Sequence, residues 1–109
     1  MAPDLNGRTI RWTYADGPMK GKHFEHEFAD DGTVTWKEAG QPKPSADSSA
    51  TYQFARINEG VFVFSYLSSH GFTLTTVIDE QAGTVVSFAS NEKELVVQHG
   101  SLDARKRAA

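Results

Sequence analysis

His23, Glu25, His26 and Glu27 bring two imidazoles and two carboxylates into one short run, His23-Phe-Glu-His-Glu27. On a helix the His23-x-x-His26 spacing would turn both rings to one side, an arrangement suited to a metal ion. The neighbours argue for a strand: Phe24, His26 and Phe28 alternate with His23, Glu25 and Glu27, the period of a half-buried strand. That alternation separates the two histidines. His23, Glu25 and Glu27 share a polar face that is expected to be solvated, and no metal site is expected. His26 falls instead among aromatic side chains. It is either a group that exchanges a proton near neutrality or a buried neutral ring bonded to a nearby tyrosine or backbone group. His70 lies in a turn and His99 near the chain end.

The other chemistry-bearing residues follow the same two-residue period. The chain has two tryptophans, three tyrosines and seven phenylalanines. Parity assigns all of them, Phe72 and Phe88 included, to the inward side of successive strands. Trp12, Tyr14, Phe24, His26, Trp36, Phe64, Tyr66 and Ser68 are the expected lining of a common interior, with Thr76 sharing their parity. Aromatic walls with a few polar groups are the usual build of a small-molecule pocket. Large rings are also what the middle of a small barrel needs simply to be filled. Tyr14, Tyr66, Trp12 and Trp36 carry donors that need partners when buried.

Several chemistries are absent. With no cysteine, there is no disulfide, thiolate metal site or cysteine nucleophile. No nucleophile elbow, phosphate loop or dinucleotide fingerprint occurs, and no cofactor is expected. Three functions compete. The first is a barrel that binds a small hydrophobic or aromatic molecule. The second is a lyase, isomerase or cyclase with Tyr14 and His26 as acid and base. The third is an interaction module. No catalytic residue is assigned.

The elements that position these residues are short strands. Period 2 dominates, turn residues recur at short intervals, and no window keeps an apolar face at helical spacing. Strands are expected over about 7–15, 22–29, 33–38, 50–57, 61–68, 72–79, 84–89 and 93–99. Hairpin signals stand at Asp30-Asp-Gly32, Asn58-Glu-Gly60, Ser69-His-Gly71, Glu80-Gln-Ala-Gly83 and Asn91-Glu92. Strand seven is assigned Thr84, Val86 and Phe88 as its inward face, and strand eight Leu95, Val97 and His99. Short connections force antiparallel neighbours, so the expected fold is all-β: an antiparallel, up-and-down, eight-stranded barrel whose closure removes both sheet edges. Residues 39–49, with Gly40, Pro42 and Pro44, form the longest connection and the expected flap. The fifth strand is apolar on both faces, with Val61, Val63 and Leu67 opposite Phe62, Phe64 and Tyr66. A homodimer is one way to cover its outer side.

Composition agrees with one globular domain over 1–109, its core at about 5–99 and a tail at 100–109. The chain is 39% hydrophobic and 23% charged, with a net charge of −3. That balance does not suit a nucleic-acid partner; the basic cluster Arg105, Lys106 and Arg107 reads as a solvated tail. No stretch approaches the ~18 apolar residues of a membrane span. The N-terminus lacks the pattern of a secretory leader, so a cytoplasmic location is expected.

The runs Gly7-Arg-Thr-Ile-Arg-Trp-Thr-Tyr14-Ala-Asp-Gly17, Phe24-Glu-His-Glu-Phe28 and Asp31-Gly-Thr-Val-Thr-Trp36 resemble the MoaF-like group of small calycin proteins. Through Glu59-Gly-Val-Phe-Val-Phe-Ser-Tyr66 the order of elements is also similar to bacterial phenolic acid decarboxylases. Both resemblances imply a lipocalin-like barrel, over roughly residues 5–99. The decarboxylase pattern implies a first-strand tyrosine pair, an arginine and a glutamate. Here the pair is Trp12 and Tyr14, the glutamate position holds Ser68, and no arginine lies between Lys37 and Arg56. A site without its cation and its acid is not expected to run that reaction. The MoaF-like name points to molybdenum-cofactor genes without implying a catalytic motif in this chain.

Overall fold

The computed structural model describes residues 7–38, 49–68 and 71–103. All but the last position of the expected flap at 39–49, Ser69 and His70 of the third hairpin signal, and the basic cluster at 105–107 lie outside them. Eight strands follow in chain order: β1 (Thr9–Tyr14), β2 (His23–Phe28), β3 (Thr33–Glu38), β4 (Ser49–Asn58), β5 (Val61–Leu67), β6 (Thr73–Asp79), β7 (Thr84–Ser90) and β8 (Leu95–Leu102). Each pairs antiparallel with the next, and β8 pairs back on β1, so the sheet is a closed up-and-down barrel.

Turn chemistry sets the short connections. Asp31 accepts from the Thr33 N–H and hydroxyl, and both bonds hold its carboxyl below the usual carboxylate range. Asp79 accepts from the Gln81 and Ala82 N–H groups, and Asn91 from those of Lys93 and Glu94. These are side-chain mimics of a backbone turn.

Closure depends on residues beyond the expected end of the last strand. β8 runs to Leu102, with Tyr14 opposite Gly100, Thr13 opposite Ser101 and Trp12 opposite Leu102. A Cβ at Gly100 would run into the Thr13 carbonyl oxygen, so the two strands approach this closely only because that residue is glycine. The Thr13 hydroxyl donates to Asp103 at 2.8 Å, and the Asp103 N–H donates to the Arg11 carbonyl at 3.0 Å. These bonds fasten the seam from outside.

The inward parity of β1 to β6 is as expected. Trp12, Phe64, Val34 and Ile78 have no exposed surface, and Phe28, Phe62, Tyr66 and His26 are buried. On β7 and β8 the expected faces are reversed. Val85, Ser87 and Ala89 point inward, and so does Gln98, while Phe88 (41% exposed), Val97 and Leu95 lie outside with His99. Both faces of these strands carry apolar residues, so alternation alone does not separate them. Cross-strand position does.

The barrel's exterior is two-sided. On β1–β3 it is charged, with Glu25 bonded to Arg11 at 2.9 Å and within 3.9 Å of Lys37. On β5–β8 three outward rows run across the strands: Val63–Val77–Val86, Ser65–Thr75–Phe88–Val97 and Leu67–Thr73–Ser90–Leu95. The first row continues to His99, which is paired with Asp16 at 3.0 Å; the other two carry no charged residue. Among the described residues, no helix is long and apolar enough to cross a membrane.

Candidate functional site

Burial changes along the barrel axis. At the end where β1 begins, Ile10, Phe28, Val34, Phe62, Ile78 and Val85 are all buried. The Arg8 guanidinium lies 5.6 Å over the Phe62 ring and is ion-paired with Glu80, which shields that end. At the opposite end Phe24, Trp36 and Leu74 are only partly buried. Phe24, Trp36 and Leu74 make that end the candidate mouth. Between the two, register brings seven of the eight expected lining residues together: Trp12 stands opposite Phe24, His26 opposite Trp36, and Tyr66 opposite Leu74. Ser68 is the exception. It sits past the end of β5, where its hydroxyl accepts the Phe72 N–H at 3.3 Å and serves the turn.

The rings form a slanted stack. Trp12 lies on His26 with centres 4.4 Å apart and planes 15° from parallel. His26 is followed by Trp36 at 6.3 Å and 27°, and Trp36 lies on Tyr66 at 4.5 Å and 22°. Phe28 and Phe64 close the floor edge-on at 4.9 Å. Such pairs contribute about 0.5–1.5 kcal/mol each beyond their buried area, so the stack is stiff as well as apolar.

Polar atoms interrupt the stack at defined points. His26 Nε2 is 3.1 Å from the Tyr66 hydroxyl. Burial holds the imidazole neutral, pushing its pKa down to about 3, and raises the Tyr66 phenol well above its ordinary value. If Nε2–H donated, the Tyr66 O–H would have no acceptor among the described residues. With the phenol donating to Nε2 the ring proton sits on Nδ1 and is itself unmet, so the contact admits both tautomers. His26 Nδ1 and Trp12 Nε1 are both buried without a hydrogen-bond partner among the described residues. The Trp12 N–H does face the Tyr14 hydroxyl closely enough to favour its ionised form.

A second polar group was hidden by the reversed parity of β7 and β8. The Tyr14 hydroxyl meets Ser87 Oγ at 2.9 Å, and Ser87 Oγ meets Thr76 Oγ1 at 3.1 Å, all of them buried. Desolvation raises the Tyr14 pKa, only partly offset by Ser87 and Trp12. Gln98 is also buried and accepts the Met19 N–H at 2.9 Å, drawing the β1–β2 connection over the side of the mouth. Ser87 and Gln98 were legible only as polar residues in apolar alternations. The choice of face for Phe88 decided against them.

This arrangement bears on two expectations. His26 is the buried, neutral, tyrosine-bonded ring, not a group titrating near neutrality. With Tyr14 shifted upward, that pair lacks the near-neutral pKa that acid–base catalysis uses. On the polar face, His23 Nδ1 meets the Thr13 hydroxyl at 2.6 Å and Glu25 is engaged by Arg11 and Lys37. Among the described residues no group of histidine and carboxylate side chains is placed to hold a metal ion.

A closed eight-stranded meander around an aromatic, partly polar lumen is the architecture of the small calycin barrels. Residues 1–94 match the family model of the MoaF N-terminal domain, and the chain belongs to that family. Among solved structures, a Burkholderia vietnamiensis protein described as a "putative beta-lactamase" superposes with a TM-score of 0.74. It is 19% identical, and the match covers 96% of this chain and 99% of that one, a likeness of fold. No curated protein matches the chain.

Proposed function

We propose that this barrel binds one small, flat, largely apolar molecule in its lumen, entering past Phe24, Trp36 and Leu74. The observation that carries this reading is the pair of buried nitrogens, Trp12 Nε1 and His26 Nδ1, left without partners inside an aromatic stack. Folded proteins rarely leave such groups unmet, and exceptions concentrate where a ligand completes the bonding. Binding is favoured over acid–base catalysis because burial takes both Tyr14 and His26 away from the neutral range. Both tryptophans of the chain belong to the stack, so their emission reports directly on occupancy. Titration with flat aromatic and terpenoid-like compounds, followed by fluorescence and native mass spectrometry, is expected to quench emission and give a one-to-one adduct. A panel that changes neither mass nor emission overturns the reading.

A homodimer is the second element of the proposal, favoured by the uncharged outer rows of β5–β8. Two copies meeting through the Ser65–Val97 and Leu67–Leu95 rows would bury no charge, with the His99–Asp16 pair at the margin, whereas the β1–β3 face would bury Arg11, Glu25 and Lys37. Sedimentation over a wide concentration range tests it, and a monomer at the highest concentration counts against it.

A further inference from the structure

The seam between β1 and β8 closes only part of β8. The ladder with β1 runs from Gly100 to Leu102, whereas β8 begins at Leu95. Nearer the mouth the β1–β2 connection takes over. The His99 N–H donates to Asp16 Oδ1 at 2.7 Å, and the His99 carbonyl accepts the Ala15 N–H at 2.7 Å. The connection then turns in to Gln98. Both backbone groups of His99 therefore point to the β1 side. Alternation along the strand sends those of Val97 and Leu95 the same way, while Val96 and Gln98 bond to β7. Among the described residues, no strand pairs with Leu95 or Val97 on that side and no connection bonds to their backbone there. Leu95-Val-Val97 is thus a bare strand edge. It carries none of the charges or prolines that blunt natural edges, and its outward side chains are exposed, Leu95 by 73% and Val97 by 41%.

We propose that a second copy of this chain completes that edge, β8 pairing antiparallel with β8 of the partner about a two-fold axis at Val96. This rests on the homodimer reading and specifies its contact. In that register Leu95 faces the partner's Val97 and Val97 faces the partner's Leu95, and each pair exchanges both of its N–H···O=C bonds. On the outer face the same side chains meet as apolar cross-strand neighbours. They end the outer rows that run back through Phe88 and Ser90, so the apolar strips of the two copies become continuous. The charges match as well. Continuing the register, Lys93 in the turn comes opposite the partner's His99, whose ring is held 3.0 Å from the partner's Asp16. Lys93 is exposed and in no ion pair among the described residues. An ammonium and a carboxylate therefore meet at each end of the paired segment, a reciprocity that only a second copy supplies. The pairing also stops itself. The Ala15–Asp16 connection occupies the next position along the edge, so two copies close it and no third can add.

The test combines sedimentation with residue-resolved amide hydrogen exchange on the full chain over a wide range of concentration. The Leu95 and Val97 amides are expected to exchange fast in the dilute monomer and at least about tenfold more slowly in the dimer. Val96 and Gln98 are expected to be protected in both. Val97→Pro removes an N–H that has no partner within the monomer, at an edge position of the kind that admits proline. It should leave unfolding of the monomer in urea cooperative and weaken dimerisation at least about tenfold. Lys93→Glu should weaken the dimer several-fold at low salt, with the difference vanishing at high salt. A monomer at every concentration removes the homodimer reading and the inference together. A dimer whose Leu95 and Val97 amides exchange as fast as in the monomer, or one that Val97→Pro leaves intact, keeps the homodimer reading and overturns edge pairing, leaving the edge to a strand of some other protein. A dimer indifferent to Lys93→Glu overturns the register about Val96. Protection of the two amides at high dilution means that the chain covers its own edge, which overturns the proposal without use of a variant. If Val97→Pro does not fold, exchange on the unaltered chain decides alone.

Discussion

The imidazole of His26 lies face to face with the indole of Trp12, ring centres 4.4 Å apart, and on its edge is hydrogen-bonded to the Tyr66 hydroxyl. A histidine held in this way makes stability depend on pH. Its pKa is about 3 when folded against 6.5 when exposed, so between those values the unfolded chain binds a proton that the folded chain does not. Stability attributable to this group is complete above about pH 6.5 and is lost as pH falls towards 3. At pH 4.5 the loss should be about 2–3 kcal/mol. Asp16 and Asp31, whose pKa values are lowered by bonds to His99 and Thr33, add losses of the same sign only below the ordinary carboxylate range. Urea titrations at pH 7 and 4.5 check this. In His26→Phe the difference between the two pH values should shrink by most of that amount.

The seam between β1 and β8 is the second place where one atom decides a large effect. A Cβ at Gly100 meets the Thr13 carbonyl oxygen, a backbone atom that has no rotamer to escape into. Gly100→Ala should cost about 3 kcal/mol by prising β8 from β1, whereas an alanine at Gly32, where nothing lies within 4 Å, bears only the strain of its positive φ. Thermal unfolding of the two variants measures the difference. Equal losses would mean that the seam does not hold the barrel shut.

How much of this was legible follows from which signals are local. Six strands and their inward faces were readable because Ile10, Trp12 and Tyr14, or Phe24, His26 and Phe28, contrast with polar neighbours on the other parity. The stack is the register consequence of those faces. On β7 and β8 the contrast fails: Val85, Ser87 and Ala89 are smaller and no more apolar than Val86 and Phe88 outside them. Large rings seek the interior only when the exterior is wet, and here the exterior rows of β5–β8 are themselves apolar. Ser87 and Gln98 were lost to the site for that reason. The last strand is expected to end at about residue 99, just before Gly100. That glycine's need for close approach to Thr13 is a long-range fact that no local pattern carries.

The hydroxyl chain Tyr14–Ser87–Thr76 supplies a third prediction. Ser87 is bonded on both sides, at 2.9 and 3.1 Å, and Ser87→Ala should leave the Tyr14 and Thr76 hydroxyls each short of a partner, costing about 1–3 kcal/mol. Tyr14→Phe removes one end of the chain together with its donor and should cost about 1 kcal/mol. The double variant should lose less than the sum, since both substitutions break the same bond. A double-mutant cycle by denaturant unfolding measures the coupling, and strict additivity would show that the chain is three independent hydroxyls.

Phe88 separates the two sides of the barrel wall most sharply. It is 41% exposed, directly opposite Val97 on β8 and Thr75 on β6, in the middle of the uncharged outer rows. Phe64 has the same side chain one wall inward, with no exposed surface and an edge contact to Phe28 at 4.9 Å. A lysine at Phe88 keeps its ammonium in water and should change monomer stability by no more than about 0.5 kcal/mol. Phe64→Lys forces a charge into the aromatic stack and should abolish folding. If copies pair through β5–β8, Phe88→Lys places a positive charge at the centre of each face. It should then move the sedimentation profile from dimer to monomer while leaving ligand-dependent quenching of Trp12 and Trp36 in place. Loss of stability comparable with Phe64→Lys would put Phe88 inside the barrel after all and reverse the assignment of β7.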